Sequence, residues 1–241
     1  LSAQGAKVTL VEYADHILAP FDADMAAQLH ILMKKHGIKL MLSTAVTGFE
    51  TKDGKVTVKT SAGDVAADMA LLAIGVTPDT ALAKKAGLKL GIKGSIEVNG
   101  KMETSVPDVY AVGDAVEVKH FITGNSALIS LAGPANKQGR IAADNICGGN
   151  SVYKGSQGSS VIKLFDMTAA ATGINESAAK AAGIDYDYVI LSPASHATYY
   201  PGGKVMTLKV LFENGTGRLL GAQAVGYEGV DKRIDVIATA I

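Results

Sequence analysis

The sequence predicts an α/β protein with a parallel crossover unit in front and a separate α+β unit behind. Three observations carry this. Lys7 to Glu12 reads as a short apolar strand, Ala23 to His36 as an amphipathic helix and Ile38 to Leu42 as a second strand, and a helix between two strands is the building block of a doubly wound sheet. Gly, Ser and Asn become frequent from Gly148 to Gly158, which marks a linker. Beyond it strands and helices alternate with no recognisable cofactor motif.

Taken in order, Leu1 to Gln4 closed by Gly5 reads as the last turn of a helix, so the chain opens inside an element. The helix from Ala23 carries Met25, Leu29, Leu32 and Met33 on one stripe and stops at Gly37. Val46 to Glu50 and Val56 to Thr60, joined by the Asp53-Gly54 turn, begin a small antiparallel meander, and Met69 to Ile74 is expected as a buried strand leading back into the sheet. Gly75-Val76-Thr77-Pro78 breaks the pattern and marks a domain crossing. Ile96 to Val98 and a buried Val109 to Val112 are the next strands. A helix follows from Pro134, suited to the first helical position, to Ile146 before Gly148-Gly149. The rear unit reads as Val161 to Phe165, a helix Glu176 to Ala182 capped by Asn175, Tyr186 to Leu191, Val205 to Phe212, Leu219 to Val225, and a helix Asp231 to Ile241 without a stop signal.

With 241 residues and 48% hydrophobic composition the chain can bury one large core or two medium ones. Lys plus Arg and Asp plus Glu both number 23, so no general field draws it to nucleic acid, and the Lys34-Lys35 and Lys84-Lys85 pairs read as solvated helix faces. The N-terminal residues form no signal sequence, and the longest apolar stretch, around Met69 to Val76, is too short to span a bilayer. The expectation is a soluble, cytoplasmic protein without a membrane partner. The single cysteine, Cys147, excludes an intrachain disulfide; with no cation or helix N-terminus nearby to activate it, it is expected to be a buried, small apolar residue. The five histidines show no i, i+4 pair, so no metal is expected.

Two places suit chemistry. Glu12 stands at the carboxyl end of its strand, where an acid in a dinucleotide fold accepts hydrogen bonds from ribose hydroxyls; the alternative is a surface glutamate at a strand end. No Lys or Arg occurs between Glu12 and Lys34, so nothing welcomes a 2′-phosphate and NAD is favoured over NADP. The second place is Gly113-Asp114 after the Val109 strand: glycine permits close backbone approach and a carboxylate can hold sugar hydroxyls, although Gly-Asp is also an everyday turn. Downstream, Leu131-Ala132-Gly133-Pro134 opens a helix whose free N–H groups suit an electron-rich ring edge or an oxyanion.

Val106-Pro107-Asp108-Val109-Tyr110-Ala111-Val112-Gly113-Asp114 resembles the second FAD motif of the two-dinucleotide-binding flavoproteins, and Ala73-Ile74-Gly75-Val76-Thr77-Pro78 resembles their NAD-to-FAD crossover. Leu131 to Arg140 and Gly229 to Asp235 are similar to segments of the single-cysteine branch of the pyridine nucleotide-disulfide oxidoreductases, which contains coenzyme A-disulfide reductases, persulfide reductases, NADH oxidases and NADH peroxidases. The resemblance implies a partial two-dinucleotide-binding (Rossmann-like) flavoprotein fold followed by an α+β dimerisation domain. It divides the chain into residues 1–76 (NAD-binding), 77–150 (FAD-binding) and 151–241 (dimerisation).

The resemblance further implies that Gly113 and Asp114 meet the flavin ribityl chain, that Leu131, Ala132 and Ala135 face the isoalloxazine, and that Glu12 and Gly75 line the NAD pocket. His196 to Gly203 is similar to a segment of the coenzyme A-disulfide reductases in which a tyrosine reaches the partner's thiol site; this marks Tyr199 and Tyr200, whose alternative role is to pack a loop onto the sheet. The implied cofactors are FAD and NAD(H), with NADH preferred over NADPH, and the implied acceptor is a small-molecule disulfide, persulfide or related acceptor, with an NADH oxidase or NADH peroxidase as the alternative within the family. Residues 158–241 are expected to form a homodimer, because a second copy would cover an apolar sheet face that two helices leave open. The family's glycine motifs and redox cysteine are not among these residues, so the chain alone is expected to hold flavin weakly and to need more for turnover. A non-catalytic dimerisation or binding fragment is the competing reading.

Overall fold

The computed structural model describes residues 1–241. Residues Ser2–Gln4 form one 3-10 turn ended by Gly5 at φ 85°, a left-handed position that glycine adopts without strain. Strand β1 (Thr9–Val11) lies parallel to β2 (Lys39–Met41), with Val11 opposite Met41, and α1 (Ala23–Lys35) makes the crossover. Next come β3 (Val46–Lys52), β4 (Lys55–Thr60) and β5 (Val65–Ala67), an antiparallel meander. Its first turn has Asp53 and Gly54 both at positive φ, matching the right-handed twist of the strands.

Met69 to Ile74 is not a buried strand. No main-chain hydrogen bond is made from Met69 to Pro78, and Met69, Leu71, Leu72, Ile74 and Val76 are exposed. A strand needs a ladder partner, and neither the two-stranded β1-β2 sheet nor the meander gives this segment one.

The middle of the chain contains α2 (Ala81–Lys85), β6 (Ile96–Glu97), β7 (Val116–Lys119), β8 (Ser126–Ala127) and α3 (Ala132–Ile146). The three strands form a small sheet in the order β6-β7-β8. Val109 to Val112 also departs from the expectation of a buried strand: its only ladder pair is the bridge Glu103 to Tyr110, and both valines stay exposed.

After the linker, β9 (Ser160–Leu164), β10 (Met167–Gly173), β11 (Tyr186–Leu191), β12 (Met206–Glu213) and β13 (Leu219–Gly226) build an antiparallel sheet in the order β11-β12-β13-β10-β9. Helix α4 (Glu176–Ala181) starts behind Asn175, whose side chain accepts from the Ala178 N–H, and α5 (Val230–Ala240) follows β13. The sequence reading had no strand at β10, where three consecutive alanines give little β-propensity; pairing on both edges overrides it.

Alternation along these strands divides the core. Met167, Ala169, Ala171 and Val225 face one way and pack under α1, against Met25, Leu29 and Met33. Ala170, Met206, Leu208, Ala222 and Ala224 face the other way and pack on Val230 and Ile234 of α5. The central strands are therefore covered on both faces within the chain, one face by a helix of the front unit. Helix α1 thus covers part of the sheet that the sequence reading left to a second copy. Apolar surface stays open on both edge strands: Tyr188, Val189, Ile190 and Leu191 on β11 and Val161 and Ile162 on β9 are all exposed.

Candidate functional site

Gly113–Ala115 forms a single 3-10 turn with Gly113 at φ 85°. Nothing lies within 4 Å of where a Gly113 side chain would begin, so a ligand can approach the backbone there. Asp114 is exposed, and its carboxylate takes part in no salt bridge or side-chain hydrogen bond of the structure. The turn is docked onto α3: the Gly113 N–H donates to Oε1 of Gln138 at 2.7 Å, and Gln138 is buried.

Helix α3 begins at Ala132, so Pro134 is its third residue rather than its first. This position costs nothing, because the first four N–H groups of a helix have no intrahelical acceptor. Leu131 is extended and offers no side-chain cap, which leaves the N–H groups of Ala132 and Gly133 free to donate outward. Leu131 and Ala135 are half-buried beside them, and Ala132 is exposed. The Gln138 bond brings the Asp114 turn and this helix onto one site. A carboxylate with free oxygens, an uncrowded glycine backbone and a helix N-terminus fit a polyhydroxyl chain joined to an electron-rich ring, as in FAD.

On the other side, Glu12 follows directly on β1, with its N–H bonded to the Met41 carbonyl at 2.9 Å. One carboxylate oxygen accepts from the Ala14 N–H at 2.9 Å, which orients the side chain and leaves the second oxygen available. Gly75, at φ 91°, lies in the exposed coil, and no hydrogen bond joins it to Glu12. The structure does not bring these two into contact.

Tyr199 and Tyr200 stand on the loop closed by the Ala194–Val205 bridge. They are 83% and 64% exposed with ring centroids 5.2 Å apart, so they do not pack that loop onto the sheet. Cys147 caps the end of α3 and is exposed, contrary to its expected burial. The helix buries only the stripe through Gln138 and Ala142, and Cys147 falls off it. No group of three or more His, Cys, Asp or Glu side chains is placed to hold a metal ion, and no helix is long and apolar enough to cross a membrane.

Sequence reasoning assigned no role to Gln138, although a polar residue sharing a helical stripe with Ala142 is a readable signal. It also passed over Lys209, a lone lysine inside an apolar strand, which is fully buried. Lys209 Nζ donates to Asp24 at 2.9 Å and Glu176 at 2.6 Å, forms a salt bridge with Asp22 across 3.1 Å, and lies 4.3 Å from the centre of the Tyr188 ring. Burial works against its charge, but hydrogen bonds to Glu176, Asp24 and Asp22 outweigh that and hold its pKa above the ordinary lysine value.

Residues 1–139 match the family model described as pyridine nucleotide-disulphide oxidoreductase, and residues 159–241 match the dimerisation domain of that family. The chain is 39% identical over 240 residues to the NAD(P)H sulfur oxidoreductase (CoA-dependent) of Pyrococcus abyssi, which covers 99% of this chain and 53% of that protein. Its structure is similar to reduced Bacillus anthracis CoADR-RHD, with TM-score 0.95, 47% identity, and coverage of 99% of this chain and 43% of that one. It is also similar to an NAD-dependent persulfide reductase from A. fulgidus, with TM-score 0.95, 40% identity, and coverage of 98% and 44%. The chain spans about half the length of the curated relatives it matches. On the strength of these matches, which run from the crossover unit to the last helix, the chain belongs to the pyridine nucleotide-disulphide oxidoreductase family.

Proposed function

We propose that these residues serve in an FAD-dependent NAD(P)H oxidoreductase whose acceptor is a small-molecule disulfide or persulfide. The observation that carries this is the Gly113-Asp114 turn docked by Gln138 beside the open N-terminus of α3. A flavin bound there supplies the two-electron relay between a nicotinamide and a sulfur acceptor. Asp114 accepts hydrogen bonds from the ribityl hydroxyls. The Ala132 and Gly133 N–H groups, flanked by Leu131 and Ala135, donate to the ring edge.

Glu12 accepts from the adenosine ribose, and Gly75 serves the same nucleotide from the crossover segment. A carboxylate repels a 2′-phosphate and the stretch from Glu12 to Lys34 has no Lys or Arg, which supports NADH over NADPH. Residues 1–76, 77–150 and 151–241 form the NAD-binding, FAD-binding and dimerisation parts. The homodimer contact runs through residues 158–241; the exposed apolar edge of β11 supports it, and Tyr199 and Tyr200, free of their own sheet, reach toward the partner's site.

The test is anaerobic. An enzyme carrying these residues together with the family's glycine motifs and redox cysteine is loaded with FAD and mixed with NADH, and coenzyme A disulfide is then added. Flavin absorbance that bleaches with NADH and returns with the disulfide supports the reading; a bound flavin that NADH leaves oxidised overturns it.

A further inference from the structure

We infer that Lys209 and Gln223, which belong to the C-terminal sheet, are positioning residues for nucleotide binding, because they hold the loop that follows Glu12. The inference rests on the reading of Glu12 as the ribose acceptor.

The loop runs from Tyr13 to Asp22 and is fixed at both ends. At its start, Glu12 holds the Ala14 N–H and the Ala14 carbonyl accepts from the Ser43 N–H at 2.8 Å. At its end the anchors come from the distant sheet. The Asp22 N–H donates to Gln223 Oε1 at 2.7 Å while Gln223 Nε2 donates back to Asp22 Oδ2 at 2.7 Å, a closed pair that is buried. Lys209 forms a salt bridge with the same Asp22 oxygen, the Glu176 N–H donates to Oδ1 at 3.0 Å, and Asn175 Nδ2 donates to the Ala19 carbonyl at 3.1 Å.

Asp22 stands at the N-cap of α1, yet its side chain makes no cap bond. Its carboxylate is committed to the other unit. Inside the loop, Ile17 and Phe21 are buried in the same core as Met167, Ala169 and Val225. Gln223 and Lys209 sit on the sheet face that meets α1, alternating with residues that face α5. Removing either leaves a buried carboxylate or N–H without its partner, and the loop detaches before the sheet does.

The experiment follows amide exchange and NADH-induced amide shifts in the 241-residue chain carrying Gln223→Leu, Lys209→Met, Glu12→Gln, or Gln223→Leu combined with Glu12→Gln. Gln223→Leu is the variant to rely on if Lys209→Met does not fold. Expected is faster exchange of Tyr13 to Phe21 by about tenfold or more, with β10 and β13 unchanged, and NADH affinity lowered by about tenfold. The affinity loss from Gln223→Leu should shrink in the Glu12→Gln background, as positioning through a shared ligand contact requires and a merely structural role does not. If Glu12→Gln weakens NADH and Gln223→Leu does not, the inference fails and the reading of Glu12 stands. If NADH shifts nothing in the unmodified chain, or Glu12→Gln changes no affinity, the reading of Glu12 fails and takes the inference with it.

Discussion

Leu29→Ala probes the contact on which the joining of the two units depends. Leu29 lies at the centre of the α1 stripe and is fully buried, with Met25 and Met33 one turn to either side and Ala169, Ala171 and Val225 opposite. Truncating a buried leucine in general costs about 2–5 kcal/mol, and the cost rises with the cavity that remains. Here the facing wall is made of alanines on β10, a strand hydrogen-bonded to β9 on one side and β13 on the other, so it cannot close in. The loss should lie in the upper half of that range, about 4 kcal/mol. Ile31→Ala, on the same helix but exposed, should stay within about 0.5 kcal/mol of the parent. Urea unfolding followed by circular dichroism and by the amide signals of β13 reads both. A loss under about 1 kcal/mol for Leu29→Ala, or release of α1 while the β13 signals persist unchanged in stability, would refute the packing argument.

Gly221→Ala should destabilise the sheet by several kcal/mol, ~3 or more, because the added carbon would meet the Ile174 carbonyl oxygen at 2.1 Å; a melting temperature equal to the parent's contradicts this. Glu176 supplies a pH dependence. Burial alone would raise its pKa, but hydrogen bonds from Lys209 and Tyr186 and the Lys209 and Lys180 charges outweigh it, leaving the carboxyl below its ordinary value of 4.5. Its contribution to stability is therefore full above that value and is lost as pH falls through the lower folded one. Glu176→Gln should flatten the acid limb of the stability profile, and an unchanged slope below pH 4.5 would count against the network.

The parallel crossover, the meander and four of the five rear strands were legible because each rests on a local signal: an apolar stripe ended by Gly37, the Asp53-Gly54 turn, the apolar runs of β12 and β13. The two segments misread, Met69 to Ile74 and Val109 to Val112, have strand composition, but the first has no ladder partner and the second only the single Glu103–Tyr110 bridge, and composition does not report pairing. β10 was missed for the opposite reason, since its alanines become a strand through neighbours distant in sequence. At the candidate site, the position of Glu12 directly after β1 and of Asp114 in its turn could be read from the sequence. Gln138, Gln223 and Lys209 matter only through side chains that fold topology brings near, as in the Asp22–Gln223 pair, 201 positions apart.

The central claim is that Asp114 and the start of α3 form one flavin site held together by Gln138, and an FAD titration followed by quenching of flavin fluorescence tests it most directly. Asp114→Ala should weaken FAD by about tenfold or more, as expected for a lost hydrogen bond to a charged acceptor, and Gln138→Leu, which removes the bond docking the Asp114 turn on α3 but keeps the carboxylate itself, should weaken it less. Equal FAD affinity in the parent and the Asp114 variant would contradict the account.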